Sequence, residues 1–188
     1  MTRSHNGSNT FWMPPGQAVP VGLEITCSTA GVTGVRFASR SKHPNADSAT
    51  GREFARTHSW FGPALAALQR YLDGAPVDLA TIPIDLSSQP PFRRRVQEAC
   101  RRIAFGRTQT YADLARQVRA PGAARAVGSA MSHNPVPLLV PCHRVVRADG
   151  GLGGFSGPGG VSLKADLLRM ERGSGGEAVR APRLASGT

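Results

Sequence analysis

The chain has 188 residues, 40% of them hydrophobic, which excludes a disordered or fibrous protein and allows one large domain or two small ones with real cores. No run approaches the ~20 uninterrupted apolar residues of a membrane span, and the polar start from Met1 to Thr10 lacks a signal-peptide core, so a cytoplasmic protein with no membrane partner is expected. The net charge of +11 is uneven: residues 1–91 hold seven Lys or Arg against six Asp or Glu, and residues 92–188 hold sixteen against six. A basic second half fits a polyanion, most economically nucleic acid. The plainer explanation is an Arg-rich composition, since 21 of the 23 basic residues are Arg and they are spread widely.

Residues 1–20, rich in Gly, Pro, Ser and Asn, are expected to be disordered. Leu23, Ile25 and Cys27 alternate with polar neighbours, and Val35 and Phe37 do the same after Gly31 and Gly34, which reads as a β-hairpin. A polar loop is expected from Ser41 to Gly51. Gly62-Pro63 opens a helix with Leu65, Leu68 and Leu72 on one face and Gly74 past its end. Val77, Leu79, Ile82 and Ile84 suggest another strand. These elements make a small N-terminal α/β domain over residues 21–88, with Ser87-Ser88-Gln89-Pro90-Pro91 as its linker.

The second half carries a clearer pattern. Phe92, Val96, Ala99, Cys100 and Ile103 fall at helical spacing, with Arg93, Arg94, Arg95, Arg101 and Arg102 mainly off that stripe. Thr110 is placed to cap a short helix, with Asp113 three residues on, and Tyr111, Leu114, Ala115 and Val118 form its apolar face. Pro121-Gly122 breaks that helix before a second one from about Ala123 to Ser132, and the pair reads as a helix-turn-helix. Ala123, Ala126, Val127, Ala130 and Met131 form the expected core stripe of the second helix. Its other face offers Arg125, Gly128, Ser129 and Ser132, small residues that allow close approach to a DNA groove around one long side chain. A small-residue helix packed against another helix gives the same pattern.

Three cysteines, Cys27, Cys100 and Cys142, with no CxxC spacing, argue against a disulfide framework and a zinc site, so no metal is expected. Cys27 and Cys100 lie on core stripes. Cys142 instead follows the apolar run Val136–Val140 and stands beside His143, and a neighbouring base can activate a thiol near neutral pH. The glycine-rich stretch from Gly150 to Gly157 is loop material able to close over it. Glu171, four residues after Leu167 on the last helix, flanks its apolar stripe and can point inward, but by itself it reads as a solvated helix-end acid. Asn134-Pro135 reads as a plain Asn-Pro turn.

In order and spacing, residues 90–172 resemble the O6-alkylguanine-DNA alkyltransferases, the methylated-DNA–protein-cysteine methyltransferases. The matching segments are Thr110–Ala115, Ala123–Gly128, Asn134–Pro137, Pro141–Val146, Gly150–Phe155 and Leu167–Glu171. Over residues 20–90 the likeness is limited to the hairpin and the helix at 63–72. The resemblance implies an α/β (α+β) fold class: a small N-terminal RNase H-like α/β domain, a C-terminal winged helix-turn-helix catalytic domain over residues 89–173, and a disordered tail at 174–188. It implies transfer of a methyl group from O6-methylguanine, and less readily from O4-methylthymine, to Cys142, once per molecule and without a cofactor.

The resemblance also implies roles. A water links Cys142 to His143, Glu171 holds His143, and Asn134 braces the loop. Tyr111 crowds the 3′ phosphate and donates a proton to the departing guanine. Arg125 fills the stack vacated by a flipped nucleotide, from a DNA-facing surface that includes Ala124, Gly128 and Ser129. Gly153, Phe155, Ser156 and Val145 line the base pocket, where carbonyls of Cys142 and Val145 meet the guanine amino group and the Ser156 amide meets O6. The implied partner is double-stranded DNA containing O6-alkylguanine, bound by a monomer. Phe155 departs from the family's usual Tyr, and the 156–164 loop is about two residues longer. The zinc ligands of some members have no counterpart. The rival expectations are a relative that binds and flags alkylated bases without reacting, which would lack the cysteine, and a regulator signalling through alkylation.

Overall fold

The computed structural model describes residues 9–38 and 48–173. Three strands, β1 (Asn9–Met13), β2 (Gly22–Cys27) and β3 (Val32–Ala38), form an antiparallel sheet in that order. The expected hairpin is β2–β3, with Leu23 opposite Phe37 and Ile25 opposite Val35. The strand β1 lies inside the stretch expected to be disordered. Its alternate residues Phe11 and Met13 are buried, and burial on one face of a paired strand offsets the cost of ordering it. The disorder expected at residues 1–8 and 174–188 falls outside the described residues.

The polar loop expected at 41–51 is corrected at its end, its residues 41–47 lying outside the described ones. The Ser48 hydroxyl accepts from Gly51 N at 3.3 Å and caps α1 (Ala49–Thr57), which buries Phe54 against Phe11 and Phe61. The next helix, α2 (Phe61–Leu72), buries Phe61, Ala64, Leu68, Tyr71 and Leu72. The strand expected over Val77–Ile84 is also corrected. Asp78 accepts from Ala80 N at 2.8 Å and closes a 3₁₀ turn at Leu79–Thr81, while Ile84 makes an isolated parallel bridge to Val32. Val77, Leu79 and Ile82 are still buried, so the apolar pattern reported burial rather than extension.

The second half is helical. Pro91 occupies the first position of α3 (Pro91–Arg101), where its missing N–H is not needed. A short strand β4 (Gln109–Thr110) leads into α4 (Tyr111–Gln117), closed by a full capping box in which Thr110 Oγ1 accepts from Asp113 N and Asp113 Oδ2 accepts from Thr110 N. Packed on α4 is α5 (Ala124–Ser132), whose buried face is Val127, Ala130 and Met131. Ala126, expected on that stripe, is exposed instead. A 3₁₀ turn at Cys142–Arg144 precedes β5 (Val145–Val146), which pairs in parallel with β4, and α6 (Val161–Gly173) ends the described chain. The two halves meet through Val35 N, which donates to Pro135 O at 2.8 Å. The fold is mixed α/β, a sheet-bearing first half followed by a helical second half. Among the described residues no helix is long and apolar enough to cross a membrane.

Candidate functional site

The run Val136–Val140 is held by one side chain. Asn134 Nδ2 donates to Val140 O at 2.8 Å, and its Oδ1 accepts from Val136 N at 3.0 Å. This clamp delivers the chain to the 3₁₀ turn at 142–144. Three residues per turn send successive side chains in different directions. Cys142 therefore reaches a cavity wall, whereas His143 and Arg144 point inward to α6.

Glu171 is the hub of that buried side. His143 Nε2 lies 2.9 Å from Glu171 Oε1, Arg144 Nε and Nη2 donate to the carboxylate at 2.9–3.2 Å, and Gly106 N donates to Oε2 at 3.1 Å. Gly106 has φ of 71°, a left-handed conformation that suits glycine and turns its N–H toward the carboxylate. Tyr71 of α2 donates to Oε1 at 2.6 Å, its hydroxyl 3.3 Å from His143 Nε2. Burial alone would raise the Glu171 carboxyl. Hydrogen bonds from His143 and Arg144, with the charge of Arg144, outweigh it and hold the group well below the ordinary carboxylate range. Burial lowers His143, which favours the neutral ring. With Nε2–H donating to Glu171, the Nδ1 lone pair is left as acceptor, and Nδ1 has no protein partner.

Burial raises all three thiols, though not alike. Cys27 is pushed up to about 12 and Cys100 well above the ordinary value. At Cys142 the rise is opposed by the Asn134 side chain, the Lys164 charge and nearby backbone N–H groups. Lys164 is fully buried on α6. Its Nζ donates to Val145 O at 2.6 Å, and burial lowers its pKa to about 8, against the pull of Cys142 and Cys100.

Two cavities share Cys142. One, of about 390 Å³, is lined by Val35 and Phe37 of β3 together with Asn134, Phe155 and Ser156. The other, of about 310 Å³, is lined by Tyr111, Gly128, Met131, Phe155 and Ser156. Tyr111 and Gly128 also line an open groove with Ala124, Arg125 and Arg147, so the thiol cavity adjoins the exposed face of α5. Gly153, at φ of 70°, packs so closely that a β-carbon would lie 2.7 Å from the Tyr111 hydroxyl.

The expected site residues Cys142, Asn134, Tyr111, Phe155 and Ser156 thus converge on the cavities, with His143 and Glu171 behind them. Ala124, Arg125 and Gly128 lie on the groove, and Ser129 is exposed on the same helix. Val145 is fully buried and lines neither cavity, its carbonyl accepting from Lys164. Arg144, Lys164 and Tyr71 were not picked out in the sequence. A signal existed for Lys164, which with Leu167, Leu168 and Glu171 repeats at helical spacing along one face of α6. Among the described residues, no three His, Cys, Asp or Glu side chains are grouped to hold a metal ion.

Residues 91–173 match the family described as 6-O-methylguanine DNA methyltransferase, DNA binding domain. A methylated-DNA–protein-cysteine methyltransferase of Mycolicibacterium paratuberculosis is 44% identical over 112 residues, 60% of this chain, and the chain spans 66% of that relative's length. A DNA base-flipping protein of Thermus thermophilus is 36% identical over 161 residues, covering 86% of this chain and 98% of that one. Mycobacterium tuberculosis OGT, solved in complex with DNA, matches with a TM-score of 0.67 at 30% identity, covering 90% of this chain and 94% of that one. The family model matches the second half and the fold match spans 90% of the chain, and the chain belongs to the methylated-DNA–protein-cysteine methyltransferase family.

Proposed function

We propose that this protein repairs DNA directly in the cytoplasm, as a monomer, by moving the methyl group of O6-methylguanine, and less readily that of O4-methylthymine, to Cys142. The observation that carries this reading is a thiol on a cavity wall with a buried His143–Glu171–Arg144 network behind it. His143 Nδ1 takes the Cys142 proton through a water, while Glu171 stabilises the ring that gains it. Cys142 Sγ then forms a bond to the methyl carbon as the bond from that carbon to O6 breaks. The guanine leaves with its O6 carbonyl restored and takes a proton at the ring from the Tyr111 hydroxyl. The thioether is not reduced back to a thiol, so each molecule acts once. Stoichiometric protein mixed with duplex carrying O6-methylguanine is expected to gain one methyl on the Cys142 peptide by mass spectrometry, and Cys142→Ala none. Tight binding to that duplex with no increment would instead mark a protein that flips bases without reacting.

Tyr71 is a positioning residue in this scheme. It reaches Glu171 from the N-terminal half, so the relay is completed across both halves of the chain. Tyr71→Phe removes a hydrogen bond to a charged group, a loss of about 1.5–3 kcal/mol. It also leaves the carboxylate less neutralised, so His143 holds its proton to higher pH. The acid limb of the reaction with free O6-benzylguanine should move upward in pH. An unmoved pH profile with lowered stability would reduce Tyr71 to packing.

A further inference from the structure

At the far end of α4 from Tyr111, a cleft of about 540 Å³ opens between α3 and the α4–α5 turn, lined by Arg95, Glu98, Arg102, Gln117, Val118 and Arg119. Arg95 on α3 and Arg102, the residue that caps its C-terminus, are seven residues apart on one side with Glu98 between them. Glu98 lies 3.9 Å from Arg94, which is not among the lining residues, so the single acid of the cleft is paired outside it.

Arg119 is the unusual member. It follows α4 with φ of 58°, its N–H donating to Arg116 O while Ala120 N donates to Ala115 O. That pair of bonds is the helix stop that usually has glycine at the left-handed position. A β-carbon there is strained, yet the chain places an exposed arginine on it. The helix between this cleft and Tyr111 has seven residues, which span about 10 Å. A duplex carries one negative charge per ~1.7 Å of its axis, so one seated in the Arg125 groove with its axis along α4 would bring flanking phosphates to the cleft. The one apolar side chain lining the cleft is Val118, which is half-buried, and the others are charged or polar. Among the described residues, the exposed large apolar side chain is Val161, on another element.

We propose that Arg95, Arg102 and Arg119 form a second phosphate-binding site that grips the duplex backbone beyond the recognition helix without reading sequence. This rests on the DNA-repair reading and extends its footprint. The test is equilibrium binding of undamaged labelled duplex over a range of salt concentrations. It compares the parent, Arg119→Gly, and the triple variant Arg95→Gln, Arg102→Gln, Arg119→Gly. Arg119→Gly should melt at or above the parent, because glycine relieves the turn, yet its log affinity against log salt should flatten by about 1. The triple variant should flatten by about 3 and bind at least about tenfold more weakly at low salt, while all three proteins react equally with free O6-benzylguanine. A triple variant with the parent's affinity and slope overturns the site. A parent that fails to react with O6-benzylguanine counts against the repair reading instead, and the comparison on undamaged duplex still decides the cleft.

Discussion

Glu171→Gln is expected to cost about 3–5 kcal/mol of stability, because it leaves the Arg144 cation buried without its counter-charge. For a chain of this size each kcal/mol moves the melting point by roughly 2–4 °C, so a fall on the order of 10 °C is expected. Chemistry should suffer separately. An amide does not stabilise a protonated His143, and the reaction of the folded variant with O6-benzylguanine should slow by roughly 10²–10⁴-fold. The variant should also change how stability depends on pH. Glu171 has a depressed pKa in the fold, so its contribution is present above the ordinary glutamate value of about 4.3 and is lost as pH falls below it. His143 has a lowered pKa in the fold, so the unfolded chain takes up its proton first, and stability declines from about pH 6.5 downward. Denaturant titrations at stepped pH should show both declines in the parent and a shallower slope below about pH 4.3 in the variant. A variant as stable as the parent, with the parent's acid slope, would refute the assignment of Glu171 as a buried, ionised hub.

Legibility in the sequence followed the range of the interactions. The capping box at Thr110 and Asp113, the Pro121-Gly122 break and the α3 stripe are set by neighbours within a few residues, and they appear where the sequence places them. By contrast, α1 has one large buried side chain, Phe54, among charged and small residues, too narrow a stripe to announce a helix. Val77 and Leu79 alternate, as do Ile82 and Ile84, but the two pairs are out of phase by one residue, and there the capping Asp78 closes a turn. At the site, Cys142, His143 and Asn134 stand close together in sequence, and Glu171 could be matched to them by its place on a helix. Tyr71 and Arg144 depend on what faces them. Tyr71 lies on an ordinary apolar stripe and looks like any core tyrosine until α6 delivers a carboxylate to its hydroxyl 100 residues later. A buried acid beside a neutral histidine still needs a permanent cation, and the next residue of the 3₁₀ turn supplies it.

Arg125→Ala should separate reaching the methyl group from removing it. Arg125 is exposed on α5, and the groove it lines shares Tyr111 and Gly128 with the Cys142 cavity. Under the proposed repair, the small Ala124 and Gly128 beside it in that groove let α5 approach DNA closely, and this one side chain would occupy the space of an extruded base. Losing it leaves the unstacking cost, a few kcal/mol, without compensation, and transfer from duplex O6-methylguanine should slow on the order of 10²-fold. Stability should stay within about 0.5 kcal/mol of the parent, because the side chain is exposed. The rate with free O6-benzylguanine should not change, since a free base needs no extrusion. The deficit should also shrink when the damaged base is mismatched or single-stranded, because less stacking is then broken. Equal slowing on the free base and the duplex would move Arg125 from extruding the base to holding the cavity in shape. A duplex deficit that persists on single strands would make it a phosphate contact instead.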